Sequence, residues 1–164
     1  MEILPLKYIG CTVAFQEVPN ETSLIFNISG CPYRCNGCHS QYLWKYTGAY
    51  ISEEIEHMLM QYKGLVTCIC FMGGDQNMSE LRHLLKMCKS LDFKTCIYSG
   101  ANNKSNFGEL LDILDYLKIG EYVSELGGLR SKFTNQRFYQ IKTDKERGFI
   151  LDDVTYLFWN KKEQ

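Results

Sequence analysis

Apolar residues along this chain follow two kinds of pattern. Short β-branched runs, TSLIFNIS at 22–29, VTCICFM at 66–72 and KTCIYS at 94–99, have the composition of buried strands. Helical stripes lie between and after them. Ile55, Met58, Leu59 and Tyr62 recur at helical spacing behind Glu53 and Glu54, with Ser52 as the expected N-cap; acids suit a helix start. Leu81, Leu84, Leu85 and Cys88 repeat the spacing, opened by Asn77 with Glu80 three residues on, the arrangement of a capping box. Leu110, Ile113, Leu114 and Leu117 predict a third helix, with Asn106 and Glu109 in the same relation.

Strand and helix in alternation predict an α/β fold with a mostly parallel sheet and right-handed crossovers. The 164 residues suit one domain spanning 1–164. They are too few for a full eightfold barrel, which takes about 250, so an open or partial βα barrel is expected. Ligands gather at the carboxyl ends of such strands. There the first run enters GCPYRCNGCHS, the second GGDQN and the third SGANN. Three candidate site loops therefore share one edge, with the cysteine-rich loop after the first core strand.

Composition narrows the function. Hydrophobic residues make up 45% of the chain and aromatics 13%, enough for a packed core. A formal net charge of −1 points to neither nucleic acid nor a membrane surface as a partner. No apolar run approaches the roughly 20 residues of a membrane span. The opening MEILPLKYIG lacks the pattern of a signal peptide, so a cytoplasmic location is expected. In that compartment the eight cysteines are expected as thiols, not disulfides. Cys11, Cys68, Cys70, Cys88 and Cys96 fall in strand-like and helical stretches, where buried core positions are expected.

Cys31, Cys35 and Cys38 are clustered instead. A cubic iron–sulfur cluster has four irons, each wanting a terminal ligand; three thiolates leave one iron open. Pro32 and Gly37 favour a tight loop. The alternatives are a Cys₃His zinc site using His39, or a plain loop. Structural zinc sites usually join two separated ligand pairs, and no second pair stands at that spacing. His57 and His83 lie in helical stretches and are expected at the surface.

CPYRCNGC is a C-x₃-C-x₂-C motif that resembles that of the radical S-adenosylmethionine superfamily. With GCHS, FMGGD, YSG and TNQR at 134–137, the chain resembles the small glycyl-radical activases of anaerobic ribonucleoside-triphosphate reductase. The resemblance implies that Cys31, Cys35 and Cys38 ligate a 4Fe-4S cluster whose open iron is chelated by the amino and carboxylate groups of S-adenosyl-L-methionine. It implies that Gly37 and His39 contact the adenine end. Gly73, Gly74 and Asp75 would receive the methionine amino group, and Ser99 would lie near the carboxylate or ribose. The implied reaction is one-electron cleavage of the sulfonium to methionine and a 5′-deoxyadenosyl radical, which takes hydrogen from a glycine of a partner. That partner is the large catalytic subunit of the reductase, with a flavodoxin-like one-electron donor. Gln76 stands where proline is common in the family, and QEVPNETSL replaces a Gly-x-Gly-Arg-like stretch.

Rival readings are activation of another glycyl-radical enzyme, a small-molecule radical reaction, a non-enzymatic electron carrier and a zinc-stabilised interaction module. Between Leu129 and Gly148, Arg130, Lys132, Arg137, Lys142, Lys145 and Arg147 outnumber Asp144 and Glu146, an excess suited to an acidic partner. The aromatic run QYLWKY at 41–46 is expected to pack within a loop or core rather than border the site.

Overall fold

The computed structural model of the chain describes residues 2–159. In chain order they form β1 (Lys7–Ala14), β2 (Ser23–Ile28), β3 (Ala49–Tyr50), α1 (Ile51–Tyr62), β4 (Cys68–Met72), α2 (Met78–Ser90), β5 (Lys94–Tyr98), β6 (Tyr116–Ile119), β7 (Arg137–Asp144) and β8 (Gly148–Asp153). The strands make one eight-stranded sheet in the order β3-β1-β2-β4-β5-β6-β7-β8. Its centre, β2-β4-β5-β6, is parallel, as the strand–helix alternation requires.

The expectation of a mostly parallel sheet needs correction, because the flanks are antiparallel. β1 pairs with β2 and β3 on one side, and β6-β7-β8 run antiparallel on the other. The short turn joining β7 to β8 permits only an antiparallel pair. These flanking strands are half exposed and so lack the continuous apolar runs that mark the centre.

α2 opens as its sequence predicts. Asn77 Oδ1 accepts the Glu80 amide at 3.1 Å, while Glu80 Oε2 accepts the Leu6 amide at 2.7 Å, tying the helix start to the strand entering β1. α1 begins one residue before the expected cap. Tyr50, not Ser52, is its N-cap, without a side-chain cap bond. The Ile51 amide instead donates to Leu6 O at 3.2 Å, so backbone just before β1 does the capping.

The third predicted helix does not form. Lys104–Leu110 is a 3₁₀ segment capped by Asn103, and Leu117 lies in β6 opposite Ile97 and Tyr139. Gly108 falls in what would be the first turn of that helix, and glycine is a poor helix former. Asp115 then fixes the entry to β6: its Oδ2 accepts the Thr95 amide and the Lys89 ammonium, both at 2.9 Å.

The sheet buries both faces. Ile51, Ile55 and Leu59 of α1 and Leu81, Leu84 and Leu85 of α2 pack on one face with Phe26, Phe71 and Leu117. The Phe26 and Phe71 rings stack at 5.7 Å, an arrangement worth about 1 kcal/mol beyond area burial. Cys68, Cys70 and Cys96 share the other face with Ile25, Tyr116 and Phe138. Burial raises the Cys68 and Cys96 thiols well above their ordinary range and takes Cys88 up to about 12. These are protonated core thiols. Cys11 is half-buried on β1, and His57 and His83 are exposed. No helix among the described residues is long and apolar enough to cross a membrane.

Candidate functional site

The loops after β2, β4, β5 and β6 converge on a cavity of about 420 Å³, within the usual range for small-ligand sites. Cys31, Cys35 and Cys38 line it together with Asp75, Ser99 and Lys118. His39 and Gly73 also reach its wall.

Local backbone shapes the cysteine loop. Gly30 and Gly37 both take φ 77°, and Arg34 takes φ 49°, left-handed conformations that turn the chain sharply. The Cys31 amide donates to Leu43 O at 3.0 Å and the Cys38 amide to Cys35 O at 3.1 Å. The Ser40 amide points at Cys38 Sγ from 3.3 Å. All three cysteines are free and half-buried. Among the described residues no group of three or more His, Cys, Asp or Glu is gathered to hold a single metal ion.

Gly73 belongs to the second wall. Gly73 and Gly74 have φ 105° and 109°, and the Gly73 amide donates to Tyr98 O at 2.9 Å. Gly74 is buried away from the cavity, where a Cβ would press on Leu81 at 3.2 Å. Gln76 braces this turn. It accepts the Gly74 amide at 3.1 Å and donates to Ser29 O at 3.0 Å, linking the loops after β4 and β2, a bridge that proline could not make. Asp75 Oδ2 accepts both the Tyr33 hydroxyl at 2.5 Å and the Ser99 hydroxyl at 2.7 Å. Burial and the Asp75 carboxylate push the Tyr33 phenol up to about 12. His39 is exposed and meets Tyr122 edge-on at 5.8 Å. Gly37 faces the same ring, which a Cβ would approach to 3.4 Å.

Residues 22–142 match the model of the 4Fe-4S single cluster domain family. The chain belongs to that family. No curated protein and no solved structure matches it. The matched span runs from the start of β2 into β7 and contains all three loop cysteines.

The residues of this 4Fe-4S protein fit such a cluster. Three soft thiols stand on one loop, each free, and thiolates are the usual ligands of the cluster irons. Trp44 lines the same cavity, and its buried indole N–H lacks an acceptor among the described residues. Buried donors are normally satisfied, so this one suits an acceptor supplied by a bound group.

Lys118 escaped the sequence reading. It is only 8% exposed, and its ammonium donates to Ser99 O at 3.1 Å and Gly120 O at 2.8 Å. It makes no salt bridge among the described residues. Burial lowers it to about 8, against the opposing pull of Cys35, Asp75, Cys31 and Cys38. A lysine inside the strand YLKI was the available signal: a buried ammonium needs a counter-charge. The TNQR segment also gains a role. Gln136 donates to Gly120 O at 3.3 Å, Asn135 to Glu121 O at 3.1 Å and Thr134 to Gly127 O at 3.0 Å, so it braces the turn that holds Lys118.

Two further expectations change. Leu43 and Trp44 of QYLWKY do border the cavity, because the Cys31–Leu43 bond folds that segment back on the cysteine loop. The basic stretch is partly neutralised by acids beyond it: Arg137 lies 3.7 Å from Asp153 and Lys142 3.0 Å from Asp152. Arg130 and Lys132 remain exposed.

Proposed function

We propose that this protein is a radical S-adenosylmethionine enzyme that activates a glycyl-radical partner, the large subunit of an anaerobic ribonucleoside-triphosphate reductase. The observation that carries the reading is one cavity holding three free thiols, the carboxylate of Asp75 and the buried ammonium of Lys118. Three thiol ligands leave one iron of a cubic cluster for another donor. A fixed anion on the loop after β4 and a fixed cation within β6 complement the ammonium and carboxylate of an α-amino acid. S-adenosyl-L-methionine carries both groups beside its sulfonium.

When bound, the cluster supplies the single electron that breaks a carbon–sulfur bond of the sulfonium. The chain binds and orients. Cys31, Cys35 and Cys38 would hold three irons, Asp75 the amino group and Lys118 the carboxylate. Gly73 would allow backbone to approach the ligand, while Gly37 and His39 border the adenine end. Ser99 fixes the Asp75 carboxylate. Trp44, Tyr122 and Leu129 give the cavity apolar wall, which limits water around a reactive radical. No proton transfer is needed, and none is assigned. The parallel centre of the sheet would serve as the open βα barrel of the superfamily, with a flavodoxin-like protein as electron donor.

Anaerobic reconstitution tests this. The protein should bind iron and sulfide as one cluster, and adding S-adenosyl-L-methionine should change the electron paramagnetic resonance spectrum of the reduced form. Mixing with the reductase should then produce a partner radical. A reduced cluster indifferent to S-adenosyl-L-methionine would favour a simple electron carrier.

A further inference from the structure

We propose that Tyr33 is a positioning residue that clasps the cysteine loop to Asp75, holding the cluster ligands and the amino-group subsite as one unit. The Asp75 half of this role rests on the function proposed above.

Tyr33 stands between Cys31 and Cys35, and its hydroxyl reaches Asp75 Oδ2 at 2.5 Å. This hydrogen bond ties residues 31–38 to the loop after β4 and, through the shared Asp75 oxygen, to Ser99 after β5. The backbone amides of that stretch bond locally or to Leu43, and Cys38 Sγ meets only the nearby Ser40 amide. The ring has a prepared seat. A Cβ on Gly100 would come 2.8 Å from Tyr33 Cγ, and Gly100 has no positive φ. Glycine stands there because the aromatic ring occupies the space.

The chemistry of a phenol suits the task. Lysine or arginine in its place would cancel the Asp75 charge. A neutral hydroxyl anchors one carboxylate oxygen and leaves the charge available to an ammonium. With Tyr33 and Ser99 both on Oδ2, Oδ1 has no protein donor among the described residues. Two donors on one oxygen also fix the carboxylate plane, and so fix where Oδ1 lies.

Tyr33→Phe removes only the hydroxyl, and Gly100→Ala displaces the ring while keeping it. In metal-free protein both should quicken amide hydrogen exchange across residues 31–38. After anaerobic reconstitution both should bind full iron and sulfide yet release iron to a chelator about tenfold faster, the scale of a lost bond to a charged group. Calorimetry should show S-adenosyl-L-methionine binding about tenfold weaker in Tyr33→Phe. The Tyr33→Phe, Asp75→Asn double variant should bind no worse than Asp75→Asn, since contacting residues are not additive. Unchanged exchange and iron release in both variants would overturn the clasp, even with the cosubstrate still bound. If wild-type protein holds its cluster but binds no S-adenosyl-L-methionine, the proposed function fails, while exchange and iron release still decide the clasp.

Discussion

Ser99 Oγ donates to Asp75 Oδ2 at 2.7 Å, joining the carboxyl ends of β5 and β4. The same hydroxyl accepts the Ala101 amide at 2.9 Å, so one buried group orders both a carboxylate and a turn. Asp75→Asn should therefore weaken S-adenosyl-L-methionine binding about 10- to 100-fold by removing a charge-assisted bond, with iron content unchanged. Ser99→Ala should weaken it less and also cost about 1–3 kcal/mol of stability, because a buried amide loses its acceptor. Calorimetry and denaturant melts separate the two effects.

Lys118 gives the site a pH dependence. Burial lowers it to about 8, so the unliganded site loses its cation as pH rises through that value. Cosubstrate affinity should fall across the same interval, and binding there should take up a proton. Lys118→Met should bind weakly at every pH and lose the dependence. The effect on folding has the opposite sense. A lysine lowered on folding penalises the charged native state, so its contribution improves between about 8 and the ordinary lysine value of about 10.4.

Cysteine substitutions should divide cleanly. Replacing any of Cys31, Cys35 and Cys38 by alanine should abolish stable cluster binding. Cys88→Ala should keep the cluster and lose roughly 1 kcal/mol, since it leaves only a small void between α2 and the sheet. Iron and sulfide analysis with thermal melts would show the division.

Glu21 lies at the opposite end of the sheet and tests the scaffold alone. Its carboxylate accepts Lys94 at 2.9 Å and Tyr116 at 2.7 Å. Burial pushes Glu21 up, but Lys94, Tyr116 and Thr67 outweigh it and hold the group below its ordinary value. A lowered carboxylate stabilises the fold above its unfolded value of about 4.3 and ceases to do so as pH falls through the folded value. Glu21→Gln should thus cost stability at pH 7 and little at pH 3, with the cluster unaffected at neutral pH.

The parallel centre and three of its loops were legible because buried strands carry unbroken apolar runs and glycine marks their ends. α2 was legible from Asn77 and Glu80. The flanks were not, since half-exposed strands such as KYIGCTVA mix polar and apolar residues without a clean period. Leu117 misled because its spacing from Leu110 suits a helix, while the Asp115–Thr95 bond that starts β6 depends on a distant strand. Lys118 and Tyr33 were hidden for the same reason: each matters through partners far along the chain. The cysteine motif was readable because its spacing is local.

One-electron delivery to a bound sulfonium is the reaction proposed for this cavity. The direct measurement is formation of 5′-deoxyadenosine by reconstituted protein held anaerobically with S-adenosyl-L-methionine and a one-electron reductant, with a glycyl-radical partner deuterated at its glycine α-carbons. The expected result is 5′-deoxyadenosine and methionine in equal amounts, deuterium in the 5′-deoxyadenosine and a stable radical on the partner. An intact, reduced cluster that leaves S-adenosyl-L-methionine uncleaved would contradict it.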